Sequence, residues 1–240
     1  MRRVFLPLAL AAFALSPAAG ADSERTSHSC LRGGELWFYA ADGTKLVGHR
    51  FGKGTTAVIL GHQSGGDLCE WLPYARRLAS RGFFVFAIDF RGHGSSQFRA
   101  GKAENRLAAD IAAAAKQVRK LGKRKVYLVG ASMGGIASLV AGANVQPAVD
   151  GVVSVSAPAR FRGLDAVATA PRLSVPVLYV AAEGDDNAGY DFSEDARAMH
   201  AATASVDKRL EIVPGALHGV GLVAGSARVK ALVEGFLRTR

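Results

Sequence analysis

A serine in a glycine-rich turn is the residue whose surroundings most clearly indicate chemistry. Residues 130–135 read Gly-Ala-Ser-Met-Gly-Gly, which places Ser132 in a G-x-S-x-G pattern between an apolar run, 126–129, and a helix-forming stretch, 134–143. A sharp strand-to-helix turn needs small neighbours, and it leaves the hydroxyl exposed at a helix N-terminus, where developing negative charge is favoured. The pattern therefore predicts Ser132 as a nucleophile.

A serine hydroxyl needs a general base at neutral pH, and His218 is the predicted base. It follows the run 210–213 in a loop of small residues ahead of the last predicted helix, as the chain order Ser…Asp…His requires. A carboxylate that orients the imidazole should follow a strand between Ser132 and His218. The run 177–182 leads into Glu183-Gly184-Asp185-Asp186, of which we predict Asp185, with Asp186 as the alternative.

Two backbone N–H groups should stabilise the oxyanion of a tetrahedral intermediate. One is expected from Met133, directly after the serine, and the other from the loop after the apolar run 57–60. That loop, residues 61–66, reads Gly-His-Gln-Ser-Gly-Gly and is called the oxyanion loop below. Ser64 is its predicted donor. We interpret His62 as a structural residue that braces the loop, the alternative being a catalytic base.

The elements that position these residues alternate between strands and helices. Continuous apolar runs rich in β-branched residues are typical of strands buried on both faces of a parallel sheet. The predicted strands are 57–60, 83–88, 126–129, 152–155, 177–180 and 210–213, and the predicted helices are 70–80, 103–121, 134–143, 193–203 and 226–237. Segments 36–40 and 47–51 flank Asp42-Gly43, which predicts an antiparallel hairpin. We expect one α/β domain at 34–240, with a doubly wound, mostly parallel sheet, helices on both faces and this hairpin at its N-terminal end.

Taken together, these motifs resemble the α/β-hydrolase superfamily, over residues 34–240. Besides residues 130–134, the segment 89–96 reads Asp-Phe-Arg-Gly-His-Gly-Ser-Ser, which is similar to the family's Asp-x-Arg-Gly-x-Gly-x-Ser loop. The chain departs from the family at the oxyanion loop, where most relatives have His-Gly and this sequence has His62-Gln63.

The resemblance implies a serine hydrolase. A serine nucleophile disfavours the dehalogenases and epoxide hydrolases of this fold, which use aspartate, and the dienelactone hydrolases, which use cysteine. We expect cleavage of carboxylic esters or thioesters through an acyl-enzyme intermediate, with a small-molecule or polymer-attached acyl substrate. The alternatives are a peptidase or acyltransferase on the same triad and a non-catalytic binding protein that kept the fold.

The sequence also limits the surroundings of the site. Residues 157–175 are too few for a helical cap domain, so we expect an open site in which Phe161 and Leu164 hold the substrate. No metal-ligand spacing, phosphate loop or dinucleotide motif occurs, so no cofactor and no metal are expected. The net charge is +10, but the basic residues are scattered and no recognition motif accompanies them, so no nucleic-acid partner is expected.

Composition excludes several other classes. The chain has 240 residues, of which 49% are hydrophobic and 21% charged, so it can bury a sizeable core and is not a disordered chain. Its 28 glycines show no three-residue period, which excludes a collagen-like structure.

The N-terminal residues predict export. Arg2 and Arg3 precede an apolar run at 4–15, and Ala19-Gly20-Ala21 is a signal-peptidase pattern, so residues 1–21 are a predicted signal peptide cleaved after Ala21. Residues 22–33 are then an exposed leader. The apolar run is too short to span a bilayer, so no transmembrane anchor is expected and the protein is predicted to be secreted or periplasmic.

Export bears on the two cysteines, Cys30 and Cys69, because an oxidising compartment permits a disulfide. We predict that they are bridged, with two free thiols as the alternative.

Overall fold

The computed structural model of the protein describes residues 28, 30–31, 35–98, 106–187 and 189–238. The predicted signal peptide and most of the predicted leader lie outside these residues. No helix in the described part of the chain combines the length and apolar character needed to cross a membrane.

An eight-stranded sheet forms the centre of the protein. Its strands are β1 (Glu35–Tyr39), β2 (Lys45–Phe51), β3 (Thr56–Gly61), β4 (Phe84–Ile88), β5 (Lys125–Ala131), β6 (Gly151–Val155), β9 (Val177–Ala182) and β12 (Lys208–Val213), and their order is β1-β2-β4-β3-β5-β6-β9-β12. The pairs β1–β2 and β2–β4 are antiparallel, and all later neighbours are parallel. Two short antiparallel hairpins, β7 (Arg160–Phe161) with β8 (Leu164–Asp165) and β10 (Asp186–Asn187) with β11 (Tyr190–Asp191), lie outside this sheet.

Helices cover both faces of the sheet. They are α1 (Leu72–Ser80), α2 (Leu107–Lys120), α3 (Met133–Gly142), α4 (Ala166–Thr169), α5 (Phe192–Ala202), α6 (Gly219–Gly225) and α7 (Ala227–Arg238). Alternate strand residues belong to two separate cores. Ile59 lies in the core that includes side chains of α2, α3 and α5, whereas Val58 lies in the core that includes side chains of α1, α6 and α7. Because both faces are covered, the central strands are buried beyond their first residues, which explains their continuous apolar sequences. The predicted fold class is confirmed.

The structure also departs from the predicted elements. The predicted helix 70–80 begins as a 3-10 helix at Leu68–Trp71 and becomes α-helical only at Leu72. The segment before the last helix, predicted as a loop, contains the additional helix α6. The hairpins β7–β8 and β10–β11 were not predicted, since two-residue strands are too short for an apolar pattern to be seen.

The cysteines form a disulfide that fixes the start of the described chain. Cys30 is bonded to Cys69 in the 3-10 helix, with their Cα atoms 6.0 Å apart, so the predicted bridge is confirmed. Two further contacts hold what we call the N-terminal segment, residues 28, 30 and 31. Its Leu31 is buried in the core that contains α1, and Nε2 of His28 lies 2.6 Å from a carboxylate oxygen of Asp89, with both side chains buried. The predicted leader is therefore not exposed at His28 and Leu31.

Candidate active site

Ser132 occupies a strained turn between β5 and α3. Its φ is 50° and its ψ is −116°, a backbone conformation that residues other than glycine rarely adopt. The backbone around this turn is closely packed. A Cβ on Gly130 would overlap the carbonyl oxygen of Gly134, and a Cβ on Gly134 would overlap the carbonyl oxygen of Gly61. Glycine is therefore required at both motif positions, and the half-buried Ser132 is held at the N-terminal end of α3.

His218 and Asp185 form a hydrogen-bonded pair. Nδ1 of His218 lies 2.9 and 3.0 Å from the two carboxylate oxygens of Asp185. Asp185 is 2% exposed, whereas His218 keeps a partly exposed ring that the ring of Phe192 contacts at a centroid distance of 4.4 Å. The neighbouring Asp186 is exposed in β10. Of the two aspartates considered, the structure brings Asp185 to the histidine.

The backbone after His218 is fixed by side chains from two other strand ends. The N–H of Gly219 donates to Oγ of Ser156 at 3.0 Å, and the N–H of Val220 donates to Oε1 of Gln63 at 3.1 Å. Ser156 directly follows β6 and Gln63 lies in the loop after β3. A Cβ on Gly219 would lie 3.6 Å from that of Ala131, so this backbone lies beside the end of β5, next to the turn that holds Ser132. Residues after β3, β5, β6 and β9 thus meet at the carboxyl edge of the sheet.

His62 braces the oxyanion loop. It is fully buried, its Nε2 accepts the N–H of Phe90 at 3.1 Å, and its Nδ1 therefore donates to the carbonyl oxygen of Gln63 at 2.8 Å. Burial lowers the pKa of His62 to about 4, because the charged imidazolium would lose its hydration. A neutral ring with both nitrogens committed to backbone groups has a structural role.

The predicted oxyanion donors are Ser64 and Met133. Ser64 is exposed in the loop, and Met133 is the first residue of α3. Within the described part of the chain, neither backbone N–H group has a hydrogen-bond acceptor, whereas the N–H of Gln63 points to Glu70 at 3.4 Å. Gly134 packs directly on the carbonyl groups of residues 61 and 62, so the first turn of α3 and the start of the oxyanion loop are in contact.

The loop at residues 89–96 contacts the oxyanion loop and the 3-10 helix that follows it. Asp89 is fully buried and accepts the N–H groups of Leu68 at 2.9 Å and Ser95 at 2.7 Å. A Cβ on Gly94 would overlap the Asp89 carboxylate, which explains the glycine at that motif position. The guanidinium of Arg91 pairs with the buried Asp110, with Nη2 2.6 Å from Oδ1. The motif therefore has a structural role here.

One group of metal-ligating side chains occurs among the described residues. Donor atoms of His28, Asp67 and Asp89 all lie within 4.8 Å of one another. These atoms already have partners, since Asp67 accepts the N–H of Cys69 at 2.8 Å and Asp89 is bonded as described above. The cluster is explained by the His28–Asp89 ion pair and by the backbone N–H groups that the two carboxylates accept.

Sequence reasoning missed two residues of this site and misplaced a third. Gln63 and Ser156 hold the turn from His218 into α6, residues 218–220, which we call the histidine loop. Their contacts span 157 and 63 sequence positions, which no local pattern predicts. Leu164 was expected to hold substrate, but it is 7% exposed and packs in the core beside α3, so that expectation is wrong. Phe161 is half-buried, and the 157–175 connection folds into the β7–β8 hairpin, α4 and a short 3-10 helix.

A family comparison agrees with this geometry. Residues 56–177, half of the chain, match the family model described as alpha/beta hydrolase fold. The protein belongs to the α/β-hydrolase fold family. No curated protein sequence matches the chain.

Solved structures share the fold at low sequence identity. The esterase Pf2001 of Pyrococcus furiosus has a TM-score of 0.71 at 18% identity, covering 85% of this chain and 91% of that chain. A hydrolase from Pseudomonas aeruginosa has a TM-score of 0.73 at 18% identity, covering 87% of this chain and all of that one. The esterase RhEst1 from a Rhodococcus species has a TM-score of 0.73 at 18% identity, covering 86% and 99% of the two chains.

Proposed function

We propose that the protein is a serine hydrolase that cleaves carboxylic esters through Ser132, His218 and Asp185. The observation that carries the proposal is the buried Asp185 bonded to Nδ1 of His218, at the same sheet edge as a serine held in a strained turn. This combination supplies a nucleophile, a base and a carboxylate that orients the base. The names of two similar structures, the esterases of Pyrococcus furiosus and of a Rhodococcus species, agree with this reaction class.

The reaction proceeds in two halves. As the hydroxyl oxygen of Ser132 attacks the ester carbonyl carbon, Nε2 of His218 takes its proton and the carbonyl electron pair moves to oxygen. The N–H groups of Met133 and Ser64 donate to this oxyanion. Collapse breaks the bond to the alcohol oxygen, which leaves with the proton from His218. Water then attacks the acyl-enzyme by the same proton transfers and releases the acid and the serine.

Asp185 accepts the Nδ1–H of His218 throughout the reaction. This hydrogen bond fixes the tautomer that leaves Nε2 free for the serine proton, and it stabilises the imidazolium that forms. Burial of Asp185 strengthens the interaction, because little solvent screens the carboxylate from the ring.

An open site suits esters of varied size. The 157–175 connection forms only short elements, and Leu217, adjacent to the base, is 50% exposed. The acyl or alcohol portion of a substrate can therefore extend into solvent, including one attached to a polymer.

Reaction with a fluorophosphonate probe tests the proposal. We expect one covalent adduct per chain at Ser132, located by peptide mass spectrometry, and hydrolysis of p-nitrophenyl esters. Ser132→Ala and His218→Ala should each lower kcat by roughly 10⁴- to 10⁶-fold, because triad members act as a unit. The control is Ser80→Ala, an exposed serine at the end of α1, which should label and hydrolyse like wild type.

Two outcomes would contradict the proposal. An unlabelled, inactive but folded wild-type protein would indicate a binding protein with this fold. A Ser132→Ala variant that keeps more than about a tenth of kcat would show that another residue is the nucleophile.

The protein is further proposed to act outside the cytoplasm. The disulfide supports this location, because such bonds persist in oxidising compartments. N-terminal sequencing of the exported protein should find Asp22 as the first residue, and an intact N-terminus would contradict the predicted cleavage.

A further inference from the structure

Gln63 connects the two loops on which the proposed reaction depends. Its side-chain carbonyl accepts the N–H of Val220 at 3.1 Å, and the same oxygen lies so close to Gly219 that a Cβ there would overlap it. These residues directly follow the proposed base, His218. Gln63 itself directly precedes Ser64, the proposed oxyanion donor.

The backbone of Gln63 is held as firmly as its side chain. Its carbonyl oxygen accepts Nδ1–H of the buried His62 at 2.8 Å, and its N–H points to Glu70 at 3.4 Å. A half-buried side chain with all these groups engaged has little freedom to move. The hydrogen bond to Val220 therefore couples the position of the backbone after His218 to that of the oxyanion loop.

The bond to Gln63 also explains how α6 begins. The first N–H groups of a helix have no acceptor within the helix, and a side chain at the N-cap position usually supplies one. The N-cap residue of α6 is His218, whose side chain makes no such bond because it faces Asp185. Oxygens from other loops replace it, namely Oγ of Ser156 for Gly219 and Oε1 of Gln63 for Val220. The base therefore sits on a helix whose start is fixed from outside.

We propose that Gln63 is a positioning residue of the proposed reaction. It fixes the position of the base His218 relative to the oxyanion donor Ser64. The inference rests on the proposed function.

The test replaces the amide oxygen while keeping the shape of the side chain. Gln63→Met has a similar length and lacks an acceptor, whereas Gln63→Glu keeps an oxygen at the same position. With a p-nitrophenyl ester, Gln63→Met should lower kcat about 10- to 100-fold with KM within about threefold, because a small misplacement of reacting groups costs rate rather than binding. Gln63→Glu should recover kcat to within about fivefold of wild type, because the acceptor is restored. Gln117→Met, the same substitution on α2, is the matched control and should behave like wild type.

Several outcomes would overturn the inference. One is a Gln63→Met variant with kcat within about threefold of wild type, and another is an equal loss in a folded Gln63→Glu, which would show that the acceptor is unimportant. If Gln63→Met fails to fold, Gln63→Asn provides the same test, because its amide is one methylene too short to reach Val220. The proposed function fails separately: wild type would then be inert to the fluorophosphonate, whereas failure of this inference leaves wild type active and labelled.

Discussion

Replacing His28 by glutamine should change how the stability of the protein depends on pH. Nε2 of His28 lies 2.6 Å from Asp89, and both side chains are buried. The hydrogen bond that His28 donates to the Asp89 carboxylate raises the pKa of His28 from 6.5 to about 9, and Glu35, 3.4 Å from Nδ1, acts in the same direction. Glutamine can still donate a hydrogen bond to Asp89, but it does not titrate.

The size of the effect follows from the two pKa values. In the unfolded chain His28 loses its proton near pH 6.5, whereas in the folded protein it keeps the proton up to about pH 9. The folded state therefore binds more protons across this window, and its stability falls as the pH rises. One pKa unit corresponds to about 1.4 kcal/mol, so about 3 kcal/mol of unfolding free energy is present below pH 6.5 and is lost above about pH 9.

Urea unfolding under non-reducing conditions measures this difference, followed by the fluorescence of the fully buried Trp71. Between about pH 6 and about pH 9.5, wild type should lose about 3 kcal/mol more than His28→Gln. His62 also contributes to the pH dependence, because its pKa is lowered from 6.5 to about 4 on folding, but this contribution is the same in wild type and in His28→Gln and cancels in their difference. His200→Gln, on α5, is the control and should keep the wild-type dependence. Identical pH profiles for wild type and His28→Gln would refute the assignment of the linkage to the His28–Asp89 pair.

Three further predictions concern single substitutions and the disulfide. Asp185→Asn should lower kcat by about 10⁴, because the imidazole takes the wrong tautomer, while the exposed Asp186→Asn should change it less than about threefold; reversed results in ester hydrolysis would exchange their roles. Gly134→Ala should lower the unfolding free energy, measured by urea unfolding, by about 1–3 kcal/mol and should reduce activity, because the added Cβ overlaps backbone atoms. The control Gly235→Ala, on α7 with open space around it, should be at least as stable as wild type. Reducing the disulfide should cost roughly 3–4 kcal/mol of unfolding free energy, and thiol titration of the denatured, unreduced protein should find no reactive thiol; two reactive thiols would contradict the bridge.

The sequence predicted the sheet and the larger helices because both depend on local patterns. Buried parallel strands require continuous apolar runs, and the run at 152–155 is almost the whole of β6. The sequence around α6 gave no such signal. This helix has glycine at its first and last positions, and its start depends on oxygens from distant loops, so neither propensity nor capping pattern predicts it.

The residues of the site likewise differ in whether a local sequence pattern or a distant contact determines their role. Ser132, His218 and Asp185 could be proposed from their positions after strands, since the carboxyl ends of parallel strands meet at one edge. Gln63 could not be proposed, because its role depends on the position of Val220, 157 residues away. The prediction for Leu164 was wrong for a related reason: an apolar residue in the connection between β6 and β9 can line a site or fill a core, and only packing distinguishes the two.

The disulfide gives the protein a particular path for mechanical load. Cys30 and Cys69 are 39 positions apart, and the covalent ring that they close contains β1, β2 and β3. A pulling force applied before Cys30 passes through the sulfur atoms to the 3-10 helix, so the antiparallel edge strands carry none of it. The residue after Cys69 is Glu70, to which the N–H of Gln63 points. Tethering the chain by its N-terminus would therefore shield the edge of the sheet and direct the tension to the segment beside the oxyanion loop.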